Sequence, residues 1–353
     1  MIDSDGKLAE FLPAIRTADW AALDTEADSL HAYPEKLCLI QISLPAGDYL
    51  VDPLARLHLA PLWPELMRHH LIMHGADYDL RLLRKNHAFV PSNIFDTMLA
   101  SRLLGEREFG LLNLVKKYLD ATLEKGSQKA DWARRPLTPR MEAYARNDTH
   151  YLKPLAHILE ARLRECNRLE WLHECCDFLV AECAKPSAPE PDEVWRVKGS
   201  HKLSRPALAV LRETWLWREK EAVGANRPPY FVLSHETLSQ IAEAAAAGRP
   251  IDEFIPRHFS DRRREGLRQV VEAGLSLAPA SHPEFRQSNA RRQTEPERRR
   301  FGELEQKRNK AAEDLQIDPT IIASRATLLA LARDDNPVVD GLMNWQAALL
   351  GIK

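Results

Sequence analysis

The order of apolar and polar positions in the first part of the chain predicts strands followed by helices. Apolar runs at 20–28, 37–44 and 49–53 are separated by short polar turns, which is typical of three antiparallel strands. The same patterning predicts a helix at 61–69 and a fourth strand at 71–74. Strands that alternate with helices in this way indicate an α/β domain with a mixed sheet.

The second part of the chain has helical periodicity. Apolar residues recur at steps of three or four through 152–183, so we expect one long helical segment there. The stretch 184–191 is rich in proline and alanine and has the composition of a linker. The linker separates the α/β part from a wholly helical part.

The helical part contains an internal repeat. When the sequence is shifted by 90 residues against itself, Arg218 pairs with Arg308, Pro229 with Pro319, Ser234 with Ser324, Leu238 with Leu328 and Ala242 with Ala332. A repeat of this length indicates a duplicated small domain rather than a solenoid. We therefore expect an α/β domain at 1–185, a linker at 186–192, and small all-α modules at 193–278 and 279–353.

Composition narrows the class of protein. The chain of 353 residues has a formal net charge of −2, so a nucleic acid would have to meet a local basic surface. No apolar run approaches the roughly 20 residues of a membrane helix. The first residues are acidic, unlike the basic start of a signal peptide. We expect a cytoplasmic protein without membrane association.

The five cysteines, an odd number, do not suggest a disulfide framework. Cys166, Cys175, Cys176 and Cys183 lie near His173, which leaves a zinc site open, although no Cys-x-x-Cys pair is present. These thiols fall on the apolar stripe of the helical segment, where cysteine behaves as a small hydrophobic residue. We favour buried thiols over a zinc site.

Two carboxylates, Asp24 and Glu26, end the first predicted strand. Side chains two residues apart on a strand point to the same face, so these carboxylates project together. They repel each other unless a cation lies between them, and carboxylate oxygens favour Mg²⁺ or Mn²⁺. For this motif alone, a strand that ends in a solvated acidic turn is the alternative.

Further acidic residues stand at predicted helix starts. Asp77 is predicted to cap the helix that follows the fourth strand. Asp79, one turn inside, is expected to point at the strand end that carries Asp24. Asp96 is predicted to cap the next helix rather than to bind a metal.

Thr138 and Pro139 predict another helix start, with threonine as the cap and proline at the first helical position. Tyr144 and Asp148 are four residues apart on this helix and share a face. Pro154 is predicted to kink the helix or to end it shortly afterwards. A tyrosine one turn before an aspartate is common, so this pair alone does not indicate a functional site. It does so only in combination with the acidic residues described above.

Together, Asp24-Thr25-Glu26, Asp79 and the Tyr144–Asp148 pair resemble the DEDD superfamily of 3′–5′ exonucleases. They match the subgroup with tyrosine in its last motif, because the histidine of the other subgroup would fall at Ala143. Within that subgroup the chain resembles bacterial ribonuclease D, and the resemblance continues through Leu39-Ile40-Gln41, His74-Gly75, residues 131–137 and residues 151–154. It covers roughly residues 18 to 160 and implies a ribonuclease H-like mixed sheet flanked by helices.

The resemblance implies metal-dependent hydrolysis of phosphodiesters. It assigns Asp24, Glu26, Asp79 and Asp148 to two divalent ions, Mg²⁺ or Mn²⁺, which in such sites lie roughly 3.5–4 Å apart. Tyr144 is implied to orient the attacking water or to help deprotonate it. The ordinary tyrosine pKa of about 10 favours a positioning hydrogen bond over a free base.

The resemblance also suggests contacts to substrate. Basic residues that flank the last motif could contact phosphates, or could form a solvated basic surface: Lys129, Arg134, Arg135 and Arg146. Tyr33 and His31 are expected near the terminal nucleotide. Ala27 stands where several relatives carry an aromatic residue, which leaves the packing of the terminal base open.

The two helical copies resemble HRDC domains, the nucleic-acid-binding modules of ribonuclease D and RecQ helicases. The first copy, with Trp217-Arg218-Glu219 and Pro228-Pro229, matches better than the second. Arginine clusters at 262–264, 291–292 and 298–300 could retain RNA through its phosphates or could be solvated helix ends. No aromatic residues alternate with them, so they do not indicate sequence-specific reading.

These observations predict a 3′–5′ exoribonuclease that trims RNA 3′ ends, with tRNA precursors and other structured RNAs as the implied substrates and a monomer as the implied state. A 3′–5′ exodeoxyribonuclease is one alternative, because the same carboxylates serve both reactions and discrimination depends on the 2′-hydroxyl. A non-catalytic nucleic-acid adaptor is the other. The presence of all five implied catalytic residues argues against the adaptor.

Overall fold

The computed structural model describes residues 1–124, 126–186, 193–285, 293–333 and 342–352. The chain forms two compact units. Unit 1 comprises Met1–Ala27, Leu37–Pro186 and Arg292–Lys353, and unit 2 comprises Asp28–Lys36 and Ser187–Arg291.

Unit 1 is built on a five-stranded sheet with the order β3-β2-β1-β4-β5. The strands are β1 (Ala21–Ala27), β2 (Leu37–Leu44), β3 (Gly47–Val51), β4 (Leu71–Met73) and β5 (Ile94–Asp96). The pairs β1–β2 and β2–β3 are antiparallel, whereas β1–β4 and β4–β5 are parallel. The predicted mixed sheet is therefore confirmed, and β5 is a strand that the sequence patterning did not reveal.

Within the described residues 1–124 and 126–186, eight helices accompany the sheet: α1 (Asp5–Thr17), α2 (Leu62–Leu66), α3 (Asp77–His87), α4 (Thr97–Leu103), α5 (Leu111–Leu119), α6 (Pro139–His150), α7 (Leu152–Glu165) and α8 (Leu169–Ala184). They leave β1 in the middle of the fold, where Ala22 and Leu23 are fully buried. In the described part of the chain, no helix combines the length and apolarity needed to cross a membrane.

The segment 152–183 forms two helices instead of the single long one that we expected. Asn167 has a φ of 56°, and this left-handed conformation interrupts the helix between α7 and α8. The apolar stripe still faces the core, because Leu159 on α7 and Leu172 on α8 are both fully buried. Pro154 lies in the first turn of α7, where its missing N–H breaks no helical hydrogen bond.

The thiols of Cys175, Cys176 and Cys183 are buried, as predicted, whereas Cys166 is exposed. Burial raises the pKa of the Cys175 thiol to about 12 and that of Cys176 further still. Because zinc binds the thiolate, thiols that hold their protons this firmly are poor ligands. Their placement supports the hydrophobic role over the zinc site.

Unit 2 is helical, with α9 (Arg205–Ala225), α10 (Pro229–Val232), α11 (His235–Ala246) and α12 (Asp261–Leu275). Its core contains Trp195, Leu208, Ile241 and Leu267. The segment Asp28–Lys36 belongs to the same unit. Within it, the Tyr33 ring packs on this core and its hydroxyl donates to Glu219 Oε2 over 2.5 Å.

The second helical copy belongs to unit 1 and consists of α13 (Glu295–Leu315), α14 (Pro319–Ile322), α15 (Arg325–Arg333) and α16 (Asn344–Leu350). Trp345 on α16 stacks on Trp171 of α8, with ring centroids 4.8 Å apart and planes at 11°. At Gly105, an added Cβ would lie 2.2 Å from the carbonyl oxygen of Gln316, so a side chain cannot fit. The second copy and the sheet therefore share one hydrophobic core.

The two copies have the same internal contacts, in keeping with the sequence repeat. Arg218 Nη1 donates to the carbonyl of Leu233 over 3.3 Å, and Arg308 Nη1 donates to that of Ala323 over 3.2 Å. Both arginines are buried. At the start of the following helix, Ser234 and Ser324 each accept a backbone hydrogen bond three residues on. The 90-residue offset in sequence therefore corresponds to a structural repeat.

Candidate active site

The acidic cluster consists of Asp24, Glu26 and Asp148. Asp24 and Glu26 lie opposite Gln41 and Leu39 in the β1–β2 ladder, so their side chains point to one face, as the strand alternation predicts. Asp148 on α6 reaches the same place, and carboxylate oxygens of the three residues lie within 4.8 Å of one another. In the part of the chain that the structure describes, this is the one group of His, Cys, Asp or Glu residues able to share a metal ion.

Asp79 approaches the acidic cluster from α3. It is 7% exposed and accepts a hydrogen bond from the Thr25 hydroxyl of β1. The prediction that Asp77 caps α3 is wrong, because Ala76 occupies the cap position and Asp77 is the first helical residue. There the Asp77 carboxylate pairs with Arg81 one turn further on, at 3.0 Å.

The prediction for Asp96 is confirmed, since its carboxylate caps α4 by accepting from the backbone N–H groups of Met98 and Leu99. The same carboxylate accepts from the N–H groups of Gly75 and Ala76, at 3.0 and 2.8 Å. Asp96 therefore fixes the turn that leads from β4 into α3. Through this turn it supports the helix that carries Asp79.

Tyr144 and Asp148 lie on one face of α6, whose start is capped by Thr138 as predicted. The Tyr144 ring contacts Trp132, with centroids 6.1 Å apart. The two residues of the last motif thus face the end of β1.

All five residues line a cleft of about 780 Å³. Other lining residues are His74, Tyr78, Asn113, Glu124, Gln128 and Asn147. This volume is in the range of ligand pockets and can hold a nucleotide. Among these residues, His74 was part of the motifs that resemble ribonuclease D, but no role was assigned to it. Tyr78, Asn113 and Gln128 were not part of those motifs.

Burial and mutual repulsion raise the pKa values of the acidic residues in the cleft. Burial, followed by repulsion from Asp148 and Asp79, raises the pKa of Glu26 to about 9. The pKa of Asp148 rises to about 8 through burial and the charge of Asp79. The pKa of Asp24 is also raised well above its ordinary value, mainly by burial and then by its acidic neighbours.

This oxygen-only donor set fits hard divalent cations. Without a cation the cluster retains protons at neutral pH, and bound dications would displace them. Burial raises the pKa of Asp79 to about 7, although the hydrogen bond from Thr25 opposes this shift. The residues present are therefore compatible with Mg²⁺ or Mn²⁺.

Arg135, one of the basic residues expected near substrate, is engaged within unit 1. Its Nε and Nη2 each lie 2.6 Å from the Asp52 carboxylate. It also donates to the carbonyl oxygens of Cys38 and Trp132, at 2.7 and 2.8 Å. With its donors used in this way, Arg135 holds the segment before α6 against β2 instead of facing a phosphate.

The remaining basic residues differ in their surroundings. Arg146 donates to the carbonyl oxygen of Asp48. Lys129 and Arg134 are exposed, on the segment that follows the cleft wall. His31 and Tyr33 lie in unit 2, where burial, followed by the contact with Glu219, raises the pKa of Tyr33 to about 12.

In unit 2, Arg262 and Arg263 pair with Glu221 at 3.0 and 2.9 Å, and Arg264 donates to backbone carbonyls. Among the other arginine clusters, Arg298 pairs with Glu295, whereas residues 291–292 lie outside the described part of the chain. The sequence motifs did not indicate Tyr230 and Phe231 on α10, which are 71% and 56% exposed and lie edge to face. Exposed rings of this kind can stack on bases.

Residues 1–164 match the 3′–5′ exonuclease family, and residues 207–247 match the HRDC domain family. The chain is similar to ribonuclease D of Jannaschia sp. strain CCS1, with 32% identity over 204 residues, 55% of this chain and 52% of that protein. It is similar to ribonuclease D of Pseudomonas paraeruginosa, with 35% identity over 217 residues, 60% of this chain and 57% of that protein. The chain thus spans about half the length of these curated relatives.

A solved structure supports the fold over a greater length. Escherichia coli RNase D, described as an exoribonuclease involved in structured RNA processing, superimposes with a TM-score of 0.77 at 23% identity. The match covers 99% of this chain and 96% of that one, so the two proteins share a fold. The resemblance to ribonuclease D is confirmed. Residues 1–164 are thus similar to the 3′–5′ exonuclease family, and residues 207–247 to the HRDC domain family.

Proposed function

We propose that this protein is a metal-dependent 3′–5′ exoribonuclease that removes nucleotides one at a time from RNA 3′ ends. The observation that carries the proposal is the acidic cluster, whose carboxylate oxygens lie within 4.8 Å of one another in a nucleotide-sized cleft. Tyr144 and Asp79 line the same cleft. Similarity to ribonuclease D relatives favours RNA as the substrate.

Asp24, Glu26, Asp79 and Asp148 would hold two divalent ions, Mg²⁺ or Mn²⁺. When bound, such ions stabilise charge on the phosphoryl oxygens and lower the pKa of water. The raised pKa values of the carboxylates couple cation binding to proton release, because protons leave the carboxylates as cations bind. Proton release on addition of Mg²⁺ is thus a direct consequence of the proposal.

Tyr144 would orient the attacking water. Burial and the charges of Asp148, Glu26 and Asp24 raise its pKa above the ordinary tyrosine value, so the hydroxyl keeps its proton at neutral pH. A neutral hydroxyl acts as a positioning hydrogen-bonding group rather than as a free base. The first turn of α5, at Gly110 to Asn113, lines the same cleft, and a helix N-terminus attracts phosphate.

The substrate and cellular context belong to the same hypothesis. The resemblance to ribonuclease D supports tRNA precursors and other structured RNAs with short 3′ tails, and a cytoplasmic monomer. We retain Lys129 and Arg134 as phosphate contacts because they are exposed beside the cleft wall. The division of the chain at 185, 192 and 278 remains a hypothesis about sequence modules.

The test uses 5′-labelled RNA and DNA of one sequence with free 3′-hydroxyls, incubated with Mg²⁺, Mn²⁺ or EDTA. We expect a metal-dependent ladder of single-nucleotide steps on RNA, which Asp148→Ala abolishes. Asp314→Ala, at an exposed carboxylate on α13, is the matched control and should cut normally. Equal or faster cutting of DNA would favour the exodeoxyribonuclease. RNA binding without any cutting would favour the adaptor.

A further inference from the structure

His74 follows β4 and lines the cleft beside Asp79, and the proposed reaction gives it no role. Its backbone leads into the turn that Asp96 holds by accepting from the N–H groups of Gly75 and Ala76. The imidazole is half-buried, so part of the ring contacts the protein and part is open to the cleft. What the open part can bind depends on which ring nitrogen carries a proton.

Two hydrogen bonds assign the ring proton. The Thr97 hydroxyl oxygen lies 3.0 Å from the carbonyl oxygen of Met73 and 2.9 Å from His74 Nδ1. A carbonyl oxygen can only accept, so the single hydroxyl proton belongs to the contact with Met73. Both contacts are hydrogen bonds only if Nδ1 carries the imidazole proton and donates to the threonine oxygen. In the neutral ring, Nε2 is then unprotonated and can only accept.

The acceptor nitrogen of His74 is left for the cleft. Thr97 is fully buried and is not part of the cleft lining, so the Nδ1 edge of the ring points into the protein. Nε2 lies at the outer end of the ring, and none of the described residues forms a hydrogen bond with it. Burial lowers the pKa of His74 below its ordinary value, although the charge of Asp96 opposes this shift. The ring is therefore neutral at neutral pH and presents an acceptor to the cleft.

Few groups at an RNA 3′ end can donate to such an acceptor. Phosphate oxygens only accept at neutral pH, and Mg²⁺ and Mn²⁺ prefer oxygen ligands to an imidazole nitrogen. The N–H groups of the bases differ from one nucleotide to the next. The ribose hydroxyls are the donors that the terminal nucleotide of every RNA presents.

We propose that His74 is a substrate-binding residue whose Nε2 accepts a hydrogen bond from a hydroxyl of the ribose at the RNA 3′ end. The inference rests on the proposed function, because it places the terminal nucleotide in the cleft beside the acidic cluster. Thr97 acts through His74 as a positioning residue, since it holds the tautomer that accepts. A bond to the 2′-hydroxyl would favour RNA over DNA, whereas a bond to the 3′-hydroxyl would serve both.

The competing role for His74 is purely structural, because its bond to Thr97 joins the end of β4 to the start of α4. Replacing a structural residue would affect the binding of all nucleotides alike. Replacing an acceptor for a ribose hydroxyl has no further effect when the nucleotide lacks that hydroxyl. A cycle of protein variants and nucleotide variants therefore separates the two roles.

The experiment measures the binding of nucleoside 5′-monophosphates, the products of the proposed reaction, to the full chain with Mg²⁺ by calorimetry. His74→Phe keeps a ring and removes both nitrogens, and we expect it to weaken binding of AMP and of UMP about fivefold, the value of one hydrogen bond. With either 2′-deoxy-AMP or 3′-deoxy-AMP, whichever lacks the bound hydroxyl, the same substitution should change the affinity by less than about twofold. His157→Phe, at an exposed histidine on α7, is the matched control.

A second readout reports the ring itself and does not depend on activity. The ¹⁵N chemical shifts of His74 in the metal-free protein should show a protonated Nδ1 and an unprotonated Nε2. Thr97→Val keeps the shape of the side chain and removes the hydroxyl, so the tautomer with a protonated Nε2 should appear and AMP binding should weaken as in His74→Phe. Thr97→Ser retains the hydroxyl and should behave like the parent.

Several results would overturn the proposal. They are a protonated Nε2 in the neutral ring of the parent, no binding of AMP to the parent, no loss of affinity in His74→Phe, an equal loss for all four nucleotides, and a loss with AMP that is absent with UMP. The proposed function is tested separately by the cutting of RNA. If the parent binds AMP with the expected dependence on one hydroxyl but makes no metal-dependent cut in RNA, the proposed function fails and the ribose contact stands.

Discussion

The Thr25 hydroxyl donates a hydrogen bond to the Asp79 carboxylate, and so joins β1 to α3 inside the cleft. Thr25 stands between Asp24 and Glu26 and is 6% exposed. A hydrogen bond to a carboxylate favours its charged form, which opposes the effect of burial on Asp79. Thr25 therefore helps to keep Asp79 ready for a cation, although the threonine itself is not assigned as a ligand.

Replacing Thr25 by valine keeps the shape of the side chain and removes this hydrogen bond. We expect the Mg²⁺ concentration for half-maximal cutting to rise about tenfold, since loss of an outer partner of a metal ligand typically has an effect of this size. Thr25→Ser retains the hydroxyl and should restore the parent value. A titration that is unchanged in Thr25→Val would show that Asp79 does not need this partner.

The raised carboxylate pKa values predict that the metal-free protein loses stability as the pH rises. The folded state binds protons at Glu26 and Asp148 up to pKa values of about 9 and 8, whereas the unfolded chain releases them near pH 4. This stabilisation is therefore complete below about pH 4 and is lost as the pH rises through 8 and 9. Urea unfolding in EDTA should give a lower free energy of unfolding at pH 9 than at pH 6.

Two comparisons isolate the carboxylates in this pH experiment. The double variant Glu26→Gln/Asp148→Asn cannot bind or release these protons, and its free energy of unfolding should fall less over the same pH range. Saturating Mg²⁺ should reduce the fall in the parent, because the cations replace the protons. An identical slope in the parent and the double variant would contradict the assignment.

The stacked pair Trp171 and Trp345 predicts that the last helix stabilises the exonuclease part. Trp345 is 4% exposed, and removing a buried indole typically costs 3–5 kcal/mol, so we expect Trp345→Ala to destabilise unit 1 by about 3 kcal/mol. Heat inactivation of RNA cutting should move to a lower temperature. Trp195→Ala removes an equally buried indole from unit 2 and is the matched control. If both variants lose activity at the same temperature, the proposed stabilisation of unit 1 by Trp345 is wrong.

The exposed aromatic pair on α10 predicts a contribution to RNA retention. Stacking of a base on an aromatic ring is worth about 1–3 kcal/mol, so Tyr230→Ala/Phe231→Ala should weaken binding of single-stranded RNA by about tenfold or more. Their exposure means that the free energy of unfolding should hardly change. Fluorescence anisotropy with labelled RNA measures this, and Leu275→Ala, at another exposed apolar residue, is the control. Equal affinity in all three proteins would exclude a stacking role.

The parts of the structure that follow from local rules were predictable from sequence. Strand alternation placed Asp24 and Glu26 on one face, because the period of a strand is set by neighbouring residues. Capping chemistry likewise identified Asp96 and Thr138, since a cap acts within its own helical turn. For Asp77 the choice of cap failed, because the helix begins one residue earlier than expected and Ala76 takes the position.

Contacts between distant residues were not predictable in the same way. Arg135 meets Asp52, and Trp132 meets Tyr144, only after the sheet and helices have formed. From sequence spacing alone, the arginines near the last motif could not be distinguished as phosphate contacts or as solvated surface residues. The fold distinguishes them, because Arg135 meets a carboxylate within hydrogen-bonding distance while Arg134 points outward.

The fit of Gly105 against the Gln316 carbonyl has a consequence for how the protein is made. The ribosome adds Gln316 long after the sheet and the acidic residues of the cleft, the last of which is Asp148, have left the exit tunnel. Until then, the surface that α13 and α16 cover in the finished molecule is open to solvent. We therefore expect the nascent chain to complete this core only after α13 and α16 have been synthesised. Translation itself would then delay the moment at which the fold around the acidic cluster is complete.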